Sequence, residues 1–329
     1  MFENFLFFFF ITLINLYLIF KFSKIGLFKL NIDYPDSNRR IHTKPVALAG
    51  GLIIILNIFL LLIYLIFFKK ETIELSFFLG CLMIFTLGFL DDKYKLSYNK
   101  KFIFLSLIFS ICFFLDKNLR VDQLYIESID KTVNINNFSF FFTILCFLLF
   151  SNALNMFDGI NCQCIIFSIL LFSYLLNLQN QLLIIYLILV LIFTLYLNSK
   201  NLIFLGNSGS YLLSYIISHQ VIYFYNSKFI RSVEEIFILL MVPGVDMLRI
   251  FFQRLSHKKN PFKPDKMHLH HILLARYGYK SSISIITLIL FFTYLTLYLN
   301  LSKIFIILSY GSIYIILITY LYSKKKFNN

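Results

Sequence analysis

Four polar side chains recur at intervals of three residues inside one of the most apolar parts of the chain. Asn152, Asn155, Asp158 and Asn161 lie between the runs "FSFFFTILCFLLF" and "IIFSILLFSYLL". Positions i, i+3 and i+6 share one face of a helix, which is more than capping a helix end requires. Because polar groups in hydrocarbon are costly, they usually face a cavity or bind a ligand. The spacing therefore predicts a binding face here.

Two adjacent carboxylates, Asp91 and Asp92, form a second candidate cluster. They follow an apolar run, and Lys93 and Lys95 are the nearest cations in the sequence. Solvated charges that end a helix are the simplest interpretation of such a pair, although two carboxylates at a helix C-terminus oppose the helix dipole. Paired carboxylates at a membrane boundary also suit a hard cation or a general base.

Three further segments contain residues suited to binding an anion. "FLGNSGS", residues 204 to 210, is a Gly/Ser loop at the expected start of a helix, where backbone N–H groups can bind phosphate. The segments 33–51 and 243–271 are rich in Arg, Lys and His. Zinc is an alternative ligand for His268, His270 and His271, but no Cys or Glu accompanies them, so an anionic substrate is favoured.

These residues must be positioned by membrane-spanning helices. Of the 329 residues, 59% are hydrophobic and 14% are charged, whereas soluble domains carry about a quarter charged residues. The five cysteines lie in or beside apolar runs without a paired framework or metal-ligand spacing, so we interpret them as packing residues. Eleven apolar segments are candidate spans, at 4–20, 46–68, 75–90, 102–115, 138–156, 163–177, 181–198, 208–225, 235–252, 282–299 and 303–322.

The distribution of positive charge gives these spans an orientation. With the N-terminus outside, 22 of the 30 Lys and Arg residues fall on the cytoplasmic side and 8 fall outside. Such an excess is what orientation by positive charge predicts. The net charge of +14 is therefore explained by membrane topology, and a nucleic-acid partner is not expected.

All five polar segments then fall on the cytoplasmic side, which predicts one site. The sequence shows no internal repeat and no linker, so we expect a single transmembrane domain over 1–329, an all-α polytopic membrane protein. On the outer side, apolar and polar residues alternate in the segment 116–137, which predicts a small hairpin. The loops expected to form the site are 33–51, 88–101, 152–161, 204–210 and 249–280.

Taken in order, these segments resemble the motifs of the polyprenyl-phosphate N-acetylhexosamine-1-phosphate transferases, integral membrane enzymes of bacterial cell-surface polysaccharide synthesis. The resemblance spans residues 33 to about 278. His268-Leu-His270-His271 is similar to the branch that uses UDP-N-acetylglucosamine or related UDP-hexosamines. The matching residues are Asp33-Tyr-Pro35, Arg39-Arg40-Ile-His42, Pro45, Gly50-Gly51, Asp91-Asp92, Leu96, Lys100, Asn152, Asn155, Asp158-Gly159, Pro264-Asp265 and the three histidines.

The resemblance implies transfer of a sugar 1-phosphate from a UDP-N-acetylhexosamine to a polyprenyl phosphate held among the spans of the inner membrane. It implies Mg²⁺ as cofactor, with Mn²⁺ as the alternative, and it leaves a homodimer open. The implied catalytic residues are Asp91, Asp92, Asp158 and His268, and the implied metal ligands are Asn155 and Asn207. The implied substrate-binding residues are Arg39, His42, Lys100, Asn152, Arg254, His270 and His271.

Two departures from the family pattern leave other functions open. After the Asp that matches Asp158, the family usually continues "GIDGL" where this chain has Gly159-Ile-Asn161-Cys162-Gln163, and it usually has Asp where this chain has Asn207. A catalytically impaired membrane scaffold is therefore the first alternative. A transporter of anionic substrates is less favoured, since transporters place charges near the bilayer midplane and carry repeats.

Overall fold

A computed structural model describes most of the chain and confirms an all-α polytopic membrane protein. Within the described residues, seven helices are long and apolar enough to cross a membrane. The described residues are 7, 10, 11, 13–15, 17, 31–34, 45–69, 75–258, 267–299 and 301–323.

The helices follow the apolar runs of the sequence. Ten of the eleven candidate spans coincide with a helix, while the candidate at 4–20 falls largely outside the described residues. In chain order the helices are α1 (Gly50–Tyr64), α2 (Leu75–Tyr94), α3 (Tyr98–Leu115), α4 (Ser139–Phe157), α5 (Gln163–Leu178), α6 (Leu182–Ser199), α7 (Gly206–Asn226), α8 (Val233–Ser256), α9 (Leu269–Tyr298) and α10 (Lys303–Ser323). Helix α1 continues into a π-helical turn at Leu65–Lys69.

The chain divides into two compact units. The first consists of 1–119 and 175–219, and the second of 120–174 and 220–329. The first unit contains a small sheet that the sequence analysis did not predict. Strand β2 (Val46–Leu48) pairs antiparallel with β1 (Ile32–Asp33) and parallel with β5 (Ile203–Phe204). The sheet anchors the segment before α1 beside the segment before α7.

Apolar packing and satisfied amides hold the first unit together. Ala49 and Ile53 of α1 pack with Leu197 of α6 and with Ile203 in a buried cluster. Asn57 is buried on α1, and it accepts a hydrogen bond from the hydroxyl of Tyr186 on its side-chain oxygen (3.1 Å). It also exchanges two amide hydrogen bonds with Asn15. A buried amide in a membrane helix costs little when it is satisfied in this way.

A hairpin in the second unit confirms the expectation for 116–137. Strand β3 (Gln123–Ile126) pairs antiparallel with β4 (Lys131–Asn134). The carboxylate of Glu234, in the first turn of α8, accepts hydrogen bonds from the backbone N–H groups of Glu127 (3.2 Å) and Ser128 (3.0 Å). The hairpin is therefore tied to the start of α8.

Irregularities in α8 and α9 lie close to the polar motifs. Pro243 stands inside α8 and cannot donate to the carbonyl of Leu239 four residues earlier. The hydroxyl of Tyr294 donates to that carbonyl instead, at 2.9 Å. Helix α9 is broken at Gly278, whose φ is 73° and ψ is 176°. A short helical segment that carries His270 and His271 therefore precedes the apolar part of α9, the part that matches the candidate span at 282–299.

Candidate active site

The Asp pair lies at the C-terminal end of α2, where Asp92 caps another helix. The Oδ1 atom of Asp92 accepts a hydrogen bond from the backbone N–H of Asn207 (2.8 Å), and Oδ2 accepts one from that of Ser208 (3.0 Å). A helix N-terminus has unsatisfied N–H groups and favours negative charge, so a carboxylate stabilises the start of α7. Gly206, at φ 73°, leaves no room for a side chain, since a Cβ atom would stand 2.8 Å from Asp92 Oδ2. Two of the N–H groups that the sequence suggested for phosphate are thus bound to Asp92.

Asp91 is the more deeply buried carboxylate of the pair, with 1% of its surface exposed. Its Oδ1 accepts a hydrogen bond from the backbone N–H of Leu96 (2.9 Å). Its Oδ2 accepts one from the amide of Asn207 (2.9 Å) and forms an ion pair with Lys101 Nζ (2.7 Å). The structure therefore brings Asp91, Asp92 and Asn207 together.

Lys101 is a residue that the sequence analysis missed. The family motif pointed to Lys100, but Lys100 is exposed, and its neighbour Lys101 makes the ion pair with Asp91. Adjacent positions on a helix differ by about 100° in direction. Which of the two lysines faces the Asp pair therefore depends on where α3 begins. The structure places that start at Tyr98. Arg39 and His42, the other predicted basic residues of this unit, lie outside the described residues.

The second unit contains the Asn/Asp motif. Asn152 and Asn155 are half-buried on the last turns of α4, and Asp158 follows its final residue. The Asn152 amide donates to the carbonyl of Leu148 in the same helix, at 2.8 Å. The two asparagines thus lie on the helix as predicted, whereas Asp158 lies just beyond its C-terminal end.

Gly159 allows the histidine motif to pack directly against the end of α4. A Cβ atom at Gly159 would stand 1.8 Å from Nε2 of His270, so only glycine accommodates the imidazole there. His270 is 1% exposed, and its Nε2 has no hydrogen-bond partner among the described residues. Gln163, which is also buried, likewise has no described partner for its Oε1. Both residues line one cavity of the second unit.

The other predicted residues of the second unit lie around the junction of α8 and α9. His268 is buried and bonds through Nδ1 to Asp246 Oδ2 at 2.7 Å. His271 is half-buried, and its ring centroid is 4.2 Å from that of His270. Arg254 is buried in the last turn of α8. Asp246 was not selected from the sequence, because a single carboxylate in an apolar helix carries no distinctive spacing.

Cys162 occupies a backbone conformation that favours glycine. Its φ is 73°, and the family pattern has glycine at this position. Burial raises the pKa of the Cys162 thiol, so the thiol stays protonated. Its sulfur accepts a hydrogen bond from the hydroxyl of Tyr279 (3.4 Å), which helps to hold the side chain in place.

Cys162→Gly is expected to stabilise the protein by about 1 kcal/mol, since a left-handed conformation strains any residue with a Cβ atom. A rise in Tm of the purified protein would show it. Cys146→Gly, inside helix α4, is the matched control and should lower Tm. Equal destabilisation by both substitutions would mean that strain at Cys162 is negligible.

Comparison with known proteins agrees with this geometry. A family model, "Glycosyl transferase family 4", matches residues 74–225, which contain the Asp pair, the Asn/Asp motif and Asn207. A "Probable undecaprenyl-phosphate N-acetylglucosaminyl 1-phosphate transferase" of Bacillus subtilis is 29% identical over 79% of this chain and 74% of its own length. An "Undecaprenyl-phosphate alpha-N-acetylglucosaminyl 1-phosphate transferase" of Thermotoga maritima is 28% identical over 81% of each chain.

A protein of the same name from Escherichia coli O157:H7 is 25% identical over 79% of this chain and 72% of its own length. These alignments extend well beyond the segment matched by the family model. Residues 74–225 are thus similar to glycosyl transferase family 4, and most of the chain is similar to transferases with these names.

Proposed function

We propose that this protein transfers N-acetylhexosamine 1-phosphate, with N-acetylglucosamine as the favoured sugar, from a UDP-sugar to undecaprenyl phosphate. The observation that carries this proposal is the similarity to relatives with that printed activity along 79% and 81% of the chain. UMP is the second product, and the lipid-linked sugar starts a cell-surface polysaccharide.

In this reaction an oxygen of the lipid phosphate attacks the β-phosphorus of the UDP-sugar. A new P–O bond forms, the bond from the β-phosphorus to the oxygen of UMP breaks, and the sugar keeps its phosphate. Transfer of a phosphoryl group depends mainly on positioning and on stabilising charge. Asp91 and Asp92 orient the lipid phosphate or accept its proton. Lys101 and Arg254 balance the charge of the phosphates, and His268, His270 and His271 offer ring nitrogens that can form hydrogen bonds to them.

Mg²⁺ is the cofactor that we propose, and the donor set of the first unit suits it. Asp91, Asp92 and Asn207 carry oxygen atoms, the ligands that Mg²⁺ prefers, and Asn207 donates a hydrogen bond to each of the two carboxylates. In the described parts of the chain no three His, Cys, Asp or Glu side chains come together as a metal cage. A site of one or two carboxylates completed by amide and substrate oxygens is common for Mg²⁺. Asn207 would help to hold it, and it would neutralise charge as UMP leaves.

Asn207→Asp is expected to lower the Mg²⁺ concentration for half-maximal turnover by about tenfold, which corresponds to about 1.4 kcal/mol. The amide of Asn207 now donates to Asp91 Oδ2, and a carboxylate in its place would add negative charge beside Asp91. Turnover measured across a Mg²⁺ titration tests this. The control is Asn201→Asp, which adds the same charge at an exposed position. An unchanged Mg²⁺ curve for Asn207→Asp would exclude residue 207 as a ligand.

We also propose that the site faces the cytoplasm of a bacterial inner membrane, with the β3–β4 hairpin outside. The support is the excess of Lys and Arg on the loops that carry the motifs. With a membrane-impermeant thiol reagent on intact cells, a cysteine at exposed Thr132 should be labelled and one at exposed His257 should not. Labelling of His257→Cys alone would reverse the topology.

The activity can be tested with purified protein, labelled UDP-N-acetylglucosamine, undecaprenyl phosphate and Mg²⁺. We expect a labelled lipid product that depends on both substrates. A scaffold or a transporter would yield no such lipid, and this result would refute the proposed function.

A further inference from the structure

One buried carboxylate of the second unit receives more hydrogen bonds than a structural role requires. Asp246, on α8, is 4% exposed. Its Oδ2 bonds to His268, and its Oδ1 accepts from Arg249, Tyr314 and the backbone of Leu269. We propose that Asp246 is a positioning residue, which holds His268 so that the Nε2 atom of its imidazole meets the phosphate groups of the substrate. The inference rests on the proposed function.

The contact with His268 determines which ring nitrogen is left for the substrate. The distance from His268 Nδ1 to Asp246 Oδ2 is 2.7 Å. An ionised carboxylate only accepts hydrogen bonds, so Nδ1 carries a hydrogen. Nε2 is then the ring nitrogen that can meet another group, and the bond prevents the ring from turning over. A carboxylate that orients a histidine through its second nitrogen is a common device of active sites.

Asp246 stays charged because its other oxygen is also satisfied. Oδ1 accepts from Arg249 Nη2 (2.9 Å), from the hydroxyl of Tyr314 (2.6 Å) and from the N–H of Leu269 (3.2 Å). Arg249 is a cation, so the buried charge of Asp246 is paired.

The same group of residues holds the three positions at which the chain enters α9. Arg249 Nη2 donates to the carbonyl of Met267 (2.7 Å), Asp246 holds the ring of His268, and Asp246 accepts from the N–H of Leu269. A helix cap needs only the last of these contacts. Because the first two fix the direction of one side chain, the geometry points to a role in setting His268.

A double-mutant cycle with Asp246→Asn and His268→Gln in the full chain tests the assignment, with kcat/KM for UDP-N-acetylglucosamine as the readout. Asparagine offers one acceptor oxygen in place of two, so the bond to His268 competes with the bonds to Arg249 and Leu269. We expect Asp246→Asn to lower kcat/KM by about 30-fold in the wild-type background and by less than about threefold in His268→Gln. Equal factors in both backgrounds would show that Asp246 does not act through His268.

Tyr314→Phe distinguishes the proposed role of Asp246 in orienting His268 from a contribution of Asp246 to stability alone. It removes one hydrogen bond from Oδ1 and leaves the bond to His268 in place. We expect it to lower Tm while changing kcat/KM by less than about twofold, as for a structural hydrogen bond. A loss of kcat/KM as large as that of Asp246→Asn would overturn the proposal.

If the wild-type protein makes no lipid product, the proposed function fails and the same cycle is measured on the rise in Tm caused by UDP. Asp246→Asn should then reduce that rise in the wild-type background and leave it unaltered in His268→Gln. Independent, additive losses would contradict the assignment of Asp246.

Discussion

Asp91→Asn is expected to lower turnover by at least about 10²-fold, which is the effect of removing a group that acts on the reacting phosphate. The buried carboxylate holds Lys101 at 2.7 Å and accepts from Asn207 and Leu96. An asparagine would place an amide N–H₂ group against one of these donors and would carry no charge. Transfer assays on variants purified at equal yield measure the loss.

Asp92→Asn should reduce turnover to a similar extent, but it should also lower Tm. Its two oxygens cap the first N–H groups of α7, and an amide can accept for only one of them. Asp122→Asn changes an exposed carboxylate and serves as the control. Unchanged turnover in both Asp91→Asn and Asp92→Asn would remove the Asp pair from the chemistry.

Gly159→Ala is expected to lower kcat/KM by about 10²-fold, because a displacement of catalytic groups by about 1 Å can have that effect. The new methyl group would stand 1.8 Å from His270 Nε2 and within 2.6 Å of two ring carbons. His270 is buried, so its ring cannot swing into solvent and the first turn of α9 must shift. Steady-state kinetics with UDP-N-acetylglucosamine, together with Tm, give the measurement.

The control for Gly159→Ala is Gly311→Ala on α10, where a Cβ atom meets no atom of the described residues within 4 Å. That substitution should leave kcat/KM unchanged within about twofold and should not lower stability, since alanine favours helices. If Gly159→Ala were as active as Gly311→Ala, the contact between Gly159 and His270 would have no role in the reaction.

The helices could be predicted because membrane spans have one strong signal. A segment such as 182–199 is a continuous apolar run, and its length alone matches the bilayer. The β3–β4 hairpin could also be predicted, since apolar and polar residues alternate along its strands of four residues each.

The three-stranded sheet could not be predicted, since strands of two or three residues show no periodicity. Its pairing of Ala47 with Ile203 joins segments far apart in the chain. The break at Gly278 was equally hidden, because a glycine near the start of an apolar run can also lie within a helix.

The sequence motifs identified several residues of the candidate site, but they did not identify the residues that form ion pairs and hydrogen bonds with them. Asp91, Asp92 and Asn207, which the motifs selected, lie together in the first unit. Lys101 and Asp246 were missed because their roles depend on helix register and on which donors surround a carboxylate. A single site formed by the five cytoplasmic loops stays a prediction, based on the distribution of Lys and Arg in the sequence.

Retention of the sugar phosphate tests the central claim most directly. The substrate is UDP-N-acetylglucosamine labelled with ¹⁴C in the sugar and ³²P at the β-phosphorus, given to the purified protein with undecaprenyl phosphate. The account predicts that both labels enter the lipid at the ratio of the substrate and that one UMP is released per lipid product. A lipid that carries the sugar label without ³²P, with release of UDP, or a lipid that carries neither label, would contradict it.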